Sequence, residues 1–219
     1  SLQPDETQLI ETDITYDRVG VVQMLANNDP DVDAIYRLTR PLPILLKDPP
    51  AMVTVSPGVF IPYNAQATLH TYETFWALLL PASVHGRVSD IWRSYFAQRL
   101  FRELDLHVIY TESLVTQNRN SHDYQADMEA EKALYSQTET LLSFLLDWDI
   151  HSSALEENIE MLWIALYERG YIEESDVFLI QGWLRALVCS GYEMPSLTTR
   201  DDAGLTPLVK KSIDNNEKY

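Results

Sequence analysis

Ser89-Asp-Ile-Trp-Arg-Ser-Tyr-Phe-Ala-Gln-Arg-Leu-Phe-Arg-Glu-Leu104 is followed, after one residue, by Leu106-His-Val-Ile-Tyr110. The first stretch places Ile91, Trp92, Tyr95, Phe96, Leu100 and Leu104 at spacings of about three to five, which predicts an amphipathic helix. Arg93, Arg99 and Arg102 are expected on its polar side. The second stretch is a short strand candidate. A helix feeding directly into a strand is the signature of α/β layering.

Upstream, Val19-Gly-Val-Val-Gln-Met-Leu25 reads as another buried strand and ends in the turn-forming cluster Asn27-Asn28-Asp29-Pro30. Val53–Pro62 reads as a further strand with a turn at Pro57-Gly58. Tyr72–Leu80 carries helix signals that stop at Pro81. The proline-rich stretch 40–50 is expected to be an irregular connection. Downstream the pattern changes. Residues 123–147, 154–169 and 174–189 have helical spacing, with Gly170 and Ser190-Gly191 as stops. The expected organisation is an α/β region over residues 1–120, a helical region over 121–195, and a polar, flexible tail over 196–219.

Composition sets outer bounds. The chain has 219 residues, with a hydrophobic fraction of 46% and an aromatic fraction of 11%, enough for a sizeable core. Its formal net charge of −17 argues against a nucleic-acid or anionic-membrane footprint. Residues 121–219 carry most of that charge. A single cysteine, Cys189, excludes a disulfide framework. No apolar run is long enough to span a bilayer, and no signal peptide is visible. The first residue is Ser1 rather than Met, so an anchor or targeting segment is expected upstream.

Four clusters carry candidate chemistry. Asp29, Asp31 and Asp33 alternate along the chain and can face one way if extended, as oxygen ligands to Mg²⁺ or Mn²⁺ do. The same residues also make an ordinary capped turn. Asp90, at the start of the amphipathic helix, is either an acid favoured by the helix dipole beside a Ser89 cap, or a general base for an acceptor hydroxyl. Arg87 can pair with Asp90 or with a phosphate. Residues 117–123 form a dense polar loop in which Arg119 can bind phosphate and His122 can ligate a metal. Asn64, within Pro62-Tyr-Asn-Ala-Gln66, can read a sugar or simply make a turn. Trp92 is the one tryptophan placed beside a candidate site. The phosphate loops G-x-G-x-x-G and G-x-x-x-x-G-K-[ST] and the nucleophile motif G-x-S-x-G are all absent.

Taken in order, these segments resemble the STELLO-type glycosyltransferases. The segments are Asp29-Pro-Asp-Val-Asp-Ala-Ile-Tyr-Arg-Leu-Thr39, Pro62-Tyr-Asn-Ala-Gln-Ala-Thr-Leu69, Phe75-Trp-Ala-Leu-Leu-Leu-Pro81, Arg87-Val-Ser-Asp-Ile-Trp-Arg-Ser-Tyr95 and Gln117-Asn-Arg-Asn-Ser-His-Asp123. The resemblance spans about residues 19–150 and is weak over the last seventy. It implies kinship with GT-A glycosyltransferases, closest to the UDP-arabinopyranose mutases (reversibly glycosylated polypeptides). Those carry Pro-Asp-x-Asp-Ala and then Asp-x-Trp at a helix start, matched here by Pro30–Ala34 and Asp90–Trp92.

On that resemblance the chain is the C-terminal part of a GT-A-like mixed-sheet domain followed by an all-helical tail. The implied reaction moves a sugar from a nucleotide sugar to a glycan or protein acceptor, with a divalent metal, Mn²⁺ or Mg²⁺. Asp90 would act on the acceptor. Asp31, Asp33, Asn64, Arg87, Trp92 and Arg119 would contact substrate, and His122 would ligate the metal. The family's own Asp-x-Asp lies on an earlier strand, so the resemblance does not equate it with Asp31 and Asp33. Plant members are Golgi membrane proteins associated with cellulose synthase. The resemblance therefore implies a Golgi lumenal setting with the membrane anchor upstream. The alternative is a non-catalytic scaffold or trafficking partner of a polysaccharide synthase, docking through the acidic helical tail.

Overall fold

The structure is a computed structural model and describes residues 14–44, 52–120 and 123–198. It is α/β, with a mixed four-stranded sheet and six α-helices. The strands of the main sheet run in the order β3 (Met52–Val55), β5 (His107–Thr111), β1 (Val19–Met24) and β4 (Thr68–His70). β1 pairs parallel with β5, Val22 opposite Ile109, and antiparallel with β4, Val21 opposite His70. β3 closes the other edge antiparallel to β5. A parallel pair, β2 (Asn27–Asn28) and β6 (Thr116–Gln117), extends the β1 and β5 ends. β1 is central, and Val19, Gly20 and Val21 are all buried. Gly20 is required there. A Cβ would lie 3.1 Å from the Thr74 methyl and 3.2 Å from the Leu106 Cβ.

Helix α2 (Gly86–Leu104) is the axis of the molecule. The core runs from Val21, Val55 and Val108 of the sheet through Phe96 and Leu100 of α2. It continues without a break into Leu141, Ile159, Leu162 and Ile180 of the C-terminal helices. Those helices are α4 (Lys132–Asp147), α5 (Leu155–Glu168) and α6 (Glu174–Cys189); α4 packs on α2, and α5 pairs with α6. Two short helices, α1 (Ala34–Thr39) and α3 (Tyr124–Ala130), pack on each other above the strand ends.

The expected class, α/β followed by helices, is what the structure shows. Several details differ. The expected polar side of α2 is not solvated: every residue from Trp92 to Phe101 is buried, including Arg93 and Arg99. Their guanidinium groups are bonded inside. Arg99 donates Nε to the Trp148 carbonyl at 2.9 Å and Nη1 to Glu103 at 2.7 Å. Arg93 donates to the Ala77 carbonyl at 3.0 Å. Helix α2 begins at Gly86 with His85 as its cap, so Ser89 is inside the helix and Asp90 lies one turn in.

The strand expected over Val53–Pro62 ends at Val55, because Gly58 turns the chain at φ +95°. Tyr72–Leu78 is a 3-10 segment rather than an α-helix. The helix expected over residues 123–147 is broken at Glu131 into α3 and α4. The tail beyond residue 198 and most of the proline-rich stretch lie outside the described residues.

Candidate functional site

The ends of β1 and β5, the loop 62–66, the first two turns of α2 and the start of α4 enclose a cleft of about 450 Å³. Five of the candidate residues line it: Asp31, Asp33, Asn64, Arg87 and Asp90. They come from three separate stretches of sequence, so the fold does assemble them.

Asp90 is the most distinctive. Its Oδ2 accepts the Ala65 amide N–H at 3.0 Å, and Oδ1 accepts the Ile91 N–H at 2.9 Å. Both carboxylate oxygens are thereby fixed. Burial pushes the carboxyl above the ordinary carboxylate range, and the nearby Asp31 adds to that push. The two N–H bonds and the more distant Arg93 oppose it. The result is a held, partly desolvated carboxylate on a cleft wall.

The loop carrying Asn64 is stitched to β1 by amides. Gln23 is a buried polar residue in a hydrophobic strand, and its Oε1 accepts the Asn64 N–H at 2.8 Å. Gln23 Nε2 donates to the Gln66 carbonyl at 2.9 Å. Asn64 Nδ2 donates to the Asp31 carbonyl at 3.2 Å. These bonds set the Ala65 N–H where Asp90 receives it. Tyr63, next in the same motif, points the other way. It is buried against His70, and the Arg93 guanidinium lies 5.2 Å from its ring centroid. Burial pushes the Tyr63 phenol up to about 12.

The three aspartates of the alternating motif do not converge. Asp29 pairs with the buried Arg37. Asp31 accepts from Arg119 Nη1 at 2.6 Å and lies 3.9 Å from Arg87. Asp33 caps α1, accepting the Tyr36 N–H at 3.0 Å. Each carboxylate is taken by a different partner, Asp29 by Arg37, Asp31 by Arg119 and Asp33 by the Tyr36 N–H at the start of α1. Among the described residues no set of three His, Cys, Asp or Glu side chains is arranged to hold a metal ion. His122 lies outside the described residues.

Arg87 and Arg119 are both engaged. Arg87 donates Nε and Nη2 to Glu131 Oε1 at 3.0 and 2.7 Å, with Asp127 at 3.4 Å. Glu131 is the residue the sequence did not reveal. It is buried at the break between α3 and α4, and its Oε2 accepts the Ala34 N–H at 2.7 Å and the Tyr135 hydroxyl at 2.5 Å. One carboxylate thus ties α1, α2 and α4 together. Its partner Arg87 lies 44 residues earlier, so no local signal sets Glu131 apart from the other acids of that helical stretch.

Trp92 is a correction. It is 2% exposed and makes an edge contact with Tyr171 at 5.7 Å, so it belongs to the core rather than the cleft. In its helix it falls half a turn away from Asp90, on the face that meets the C-terminal helices.

No helix among the described residues is long and apolar enough to cross a membrane. The family model of the STELLO glycosyltransferases matches residues 87–212. That range contains Arg87, Asp90, Arg119 and Glu131. It also runs through α5 and α6, beyond the segments that carry the motif resemblance. Two curated relatives from Arabidopsis thaliana, "Probable glycosyltransferase STELLO2" and "Probable glycosyltransferase STELLO1", are each 32% identical to this chain over 182 and 183 residues. The alignments cover 81% of this chain but only 24% and 23% of the relatives, so the chain spans about a quarter of their length. With more than half of its length matched by the family model, and the cleft's Arg87 and Asp90 inside the match, the chain belongs to the STELLO glycosyltransferase family.

Proposed function

We propose that the cleft is the acceptor side of a glycosyl-transfer site, with Asp90 as the base that takes the proton from the attacking hydroxyl. The observation that carries this is the Asp90 carboxylate, half-buried and fixed by two backbone N–H groups on the cleft wall. A general base needs a fixed position and a pKa drawn toward the working pH, and burial moves Asp90 in that direction. In an attack on the anomeric carbon, the acceptor oxygen gives its proton to Asp90 as the new C–O bond forms. The sugar's bond to the nucleotide diphosphate breaks, and the diphosphate leaves with the electron pair.

The donor side belongs elsewhere in this reading. Arg87 and Arg119 are held by carboxylates, which leaves them poorly placed to receive a diphosphate. A divalent ion, Mn²⁺ or Mg²⁺, would offset the diphosphate charge when bound. The described acids do not come together around one. The acceptor in this reading is a glycan or a protein hydroxyl, and the setting is the lumenal side of the Golgi membrane, with the anchor in another part of the protein.

A second reading, a non-catalytic scaffold for a polysaccharide synthase, is favoured by one observation. The outer face of α6 leaves Phe178 and Val188 mostly exposed, beside the acids of the helical region. Turnover separates the two readings. Transfer or hydrolysis of UDP- or GDP-sugars is measured for the full-length protein with Mn²⁺, beside Asp90→Asn. A fall of roughly tenfold or more in a folded variant is expected for a base. No turnover by folded wild type moves the assignment to the scaffold.

A further inference from the structure

The charge inside the cleft is lopsided. Asp31, Asp33, Asp90 and Glu131 line it, against Arg87 alone. Arg87 is taken up by Glu131, and Arg119, which does not line the cleft, is taken up by Asp31. Asp33 and Asp90 form no ion pair among the described residues; their oxygens receive backbone N–H groups and, for Asp33, the Tyr135 hydroxyl at 3.5 Å. The rest of the lining is of the kind that meets a sugar ring. Tyr95, Tyr110 and Tyr135 line the cleft, and Thr138 keeps a buried hydroxyl with no hydrogen-bond partner among the described residues.

We infer that this cleft selects its acceptor by charge: it takes a sugar bearing free hydroxyls or a protonated amine and turns away one bearing a carboxylate or phosphate. The inference rests on the acceptor-side reading and names the class of acceptor that reading leaves open. The physical reason is direct. A carboxylate placed in the cleft would lie among Asp31, Asp33 and Asp90, with Arg87 and Arg119 already ion-paired and the buried Arg93 donating to the Ala77 carbonyl and facing His70. It would lose its hydration and gain no partner. A protonated amine in the same place meets the field that the two unpaired aspartates supply. A neutral hydroxyl-bearing ring meets neither penalty nor gain.

The test is a titration of the isotope-labelled protein at neutral pH and low salt with glucosamine, glucose and glucuronate as separate probes. The amide signals of Ala65 and Ile91, which touch Asp90, report occupancy. Glucosamine is expected to bind at least roughly tenfold more tightly than glucuronate, with glucose between them. The gap is expected to shrink by at least roughly threefold in Asp33→Asn, where asparagine still caps α1. A gap below tenfold overturns the inference, as does a gap that Asp33→Asn leaves unchanged, or the absence of binding by all three sugars. The turnover comparison with Asp90→Asn is read separately. Equal binding of glucosamine and glucuronate, with turnover still lost in Asp90→Asn, removes the charge selection and leaves the base in place.

Discussion

Helices α2 and α6 are of similar length and both carry arginine and tryptophan, yet they meet their surroundings in opposite ways. α2 is enclosed from Trp92 to Phe101, and its two buried arginines donate to carbonyls inside the protein, Arg93 to Ala77 and Arg99 to Trp148. α6 buries only Asp176, Val177, Ile180 and Leu184 and turns Phe178, Leu179 and Val188 outward. The difference shows where function can sit. On α2 the residues that line the cleft are Gly86, Arg87, Asp90, Ile91 and Tyr95, near the helix start, whereas Arg93 and Arg99, on the same helix, are bonded within the core. On α6 the surface is open, and its substitutions are expected to read out as local helix stability.

The largest expected effect tests the enclosed part of α2. Arg99→Ala removes two bonds to the Trp148 carbonyl, the pair with Glu103, and the contact of the guanidinium with the Trp148 ring at 5.4 Å. It leaves Glu103 with one partner fewer. The expected loss is about 3 kcal/mol, as for breaking other buried charged networks. Thermal unfolding is then expected to start roughly 6–12 °C lower for a chain of this size. A loss below about 1 kcal/mol would show that Arg99 is a spectator and weaken the contrast with α6.

The next effect comes from what Arg93 faces. Its Nη1 lies 3.2 Å from His70 Nε2, and burial first, then the Arg93 charge, holds the His70 pKa down to about 4. A histidine depressed in the folded state favours folding above its unfolded pKa of about 6.5, and that stability is lost as the pH falls toward 4. The expected loss across this window is at most about 3 kcal/mol. His70→Gln cannot titrate, so its denaturant midpoint should fall less steeply over the same window. Parallel pH slopes for wild type and variant would remove His70 from the account.

Asp90→Asn sharpens the comparison from the chemical end of the same helix. Asparagine keeps the size and can still accept the Ala65 N–H through its carbonyl oxygen. Stability is expected to change by about 1 kcal/mol or less. Turnover by the full-length protein is expected to fall roughly tenfold or more, which is about 1.4 kcal/mol in the barrier. A large loss of stability with unchanged turnover per folded molecule would make Asp90 a loop-fixing residue like Gln23.

Much of this architecture was legible in the sequence, and the failures have physical causes. β1, α5 and α6 could be read because local signals decide them: a run of β-branched residues, a helical stripe, and Gly170 in the left-handed region at φ +75°. α2 could be located but not interpreted. Periodicity reports which residues are apolar, whereas the burial of Arg93 and Arg99 depends on carbonyls at Ala77 and Trp148, which have no sequence signature. β4 was invisible because three residues, Thr68–His70, carry too little pattern. The site was legible as a set of polar motifs and not as a geometry. Asp31, Asp33, Asn64, Arg87 and Asp90 do share one cleft, but Asp33 caps a short helix, α1, that the sequence reading did not place. Trp92, adjacent in sequence to the site, faces the core because two residues along a helix is a rotation of about 200°.

The smallest expected effect, and the only stabilising one, is at Gly182 in the middle of α6. A Cβ built there meets nothing within 4 Å, and its backbone is helical. Glycine in a helix interior costs about 0.5–1 kcal/mol relative to alanine through the freedom it retains in the unfolded chain. No close packing within this chain requires it, unlike Gly20 in β1. Gly182→Ala is therefore expected to raise stability by that amount in chemical denaturation, without altering the cleft. Gly20→Ala, which would force its Cβ against Thr74 and Leu106, is expected to do the reverse. If Gly182→Ala destabilised the protein instead, the outer face of α6 would have to be covered by something that needs the glycine's small size. The contrast between an enclosed α2 and an open α6 would then fail at its second half.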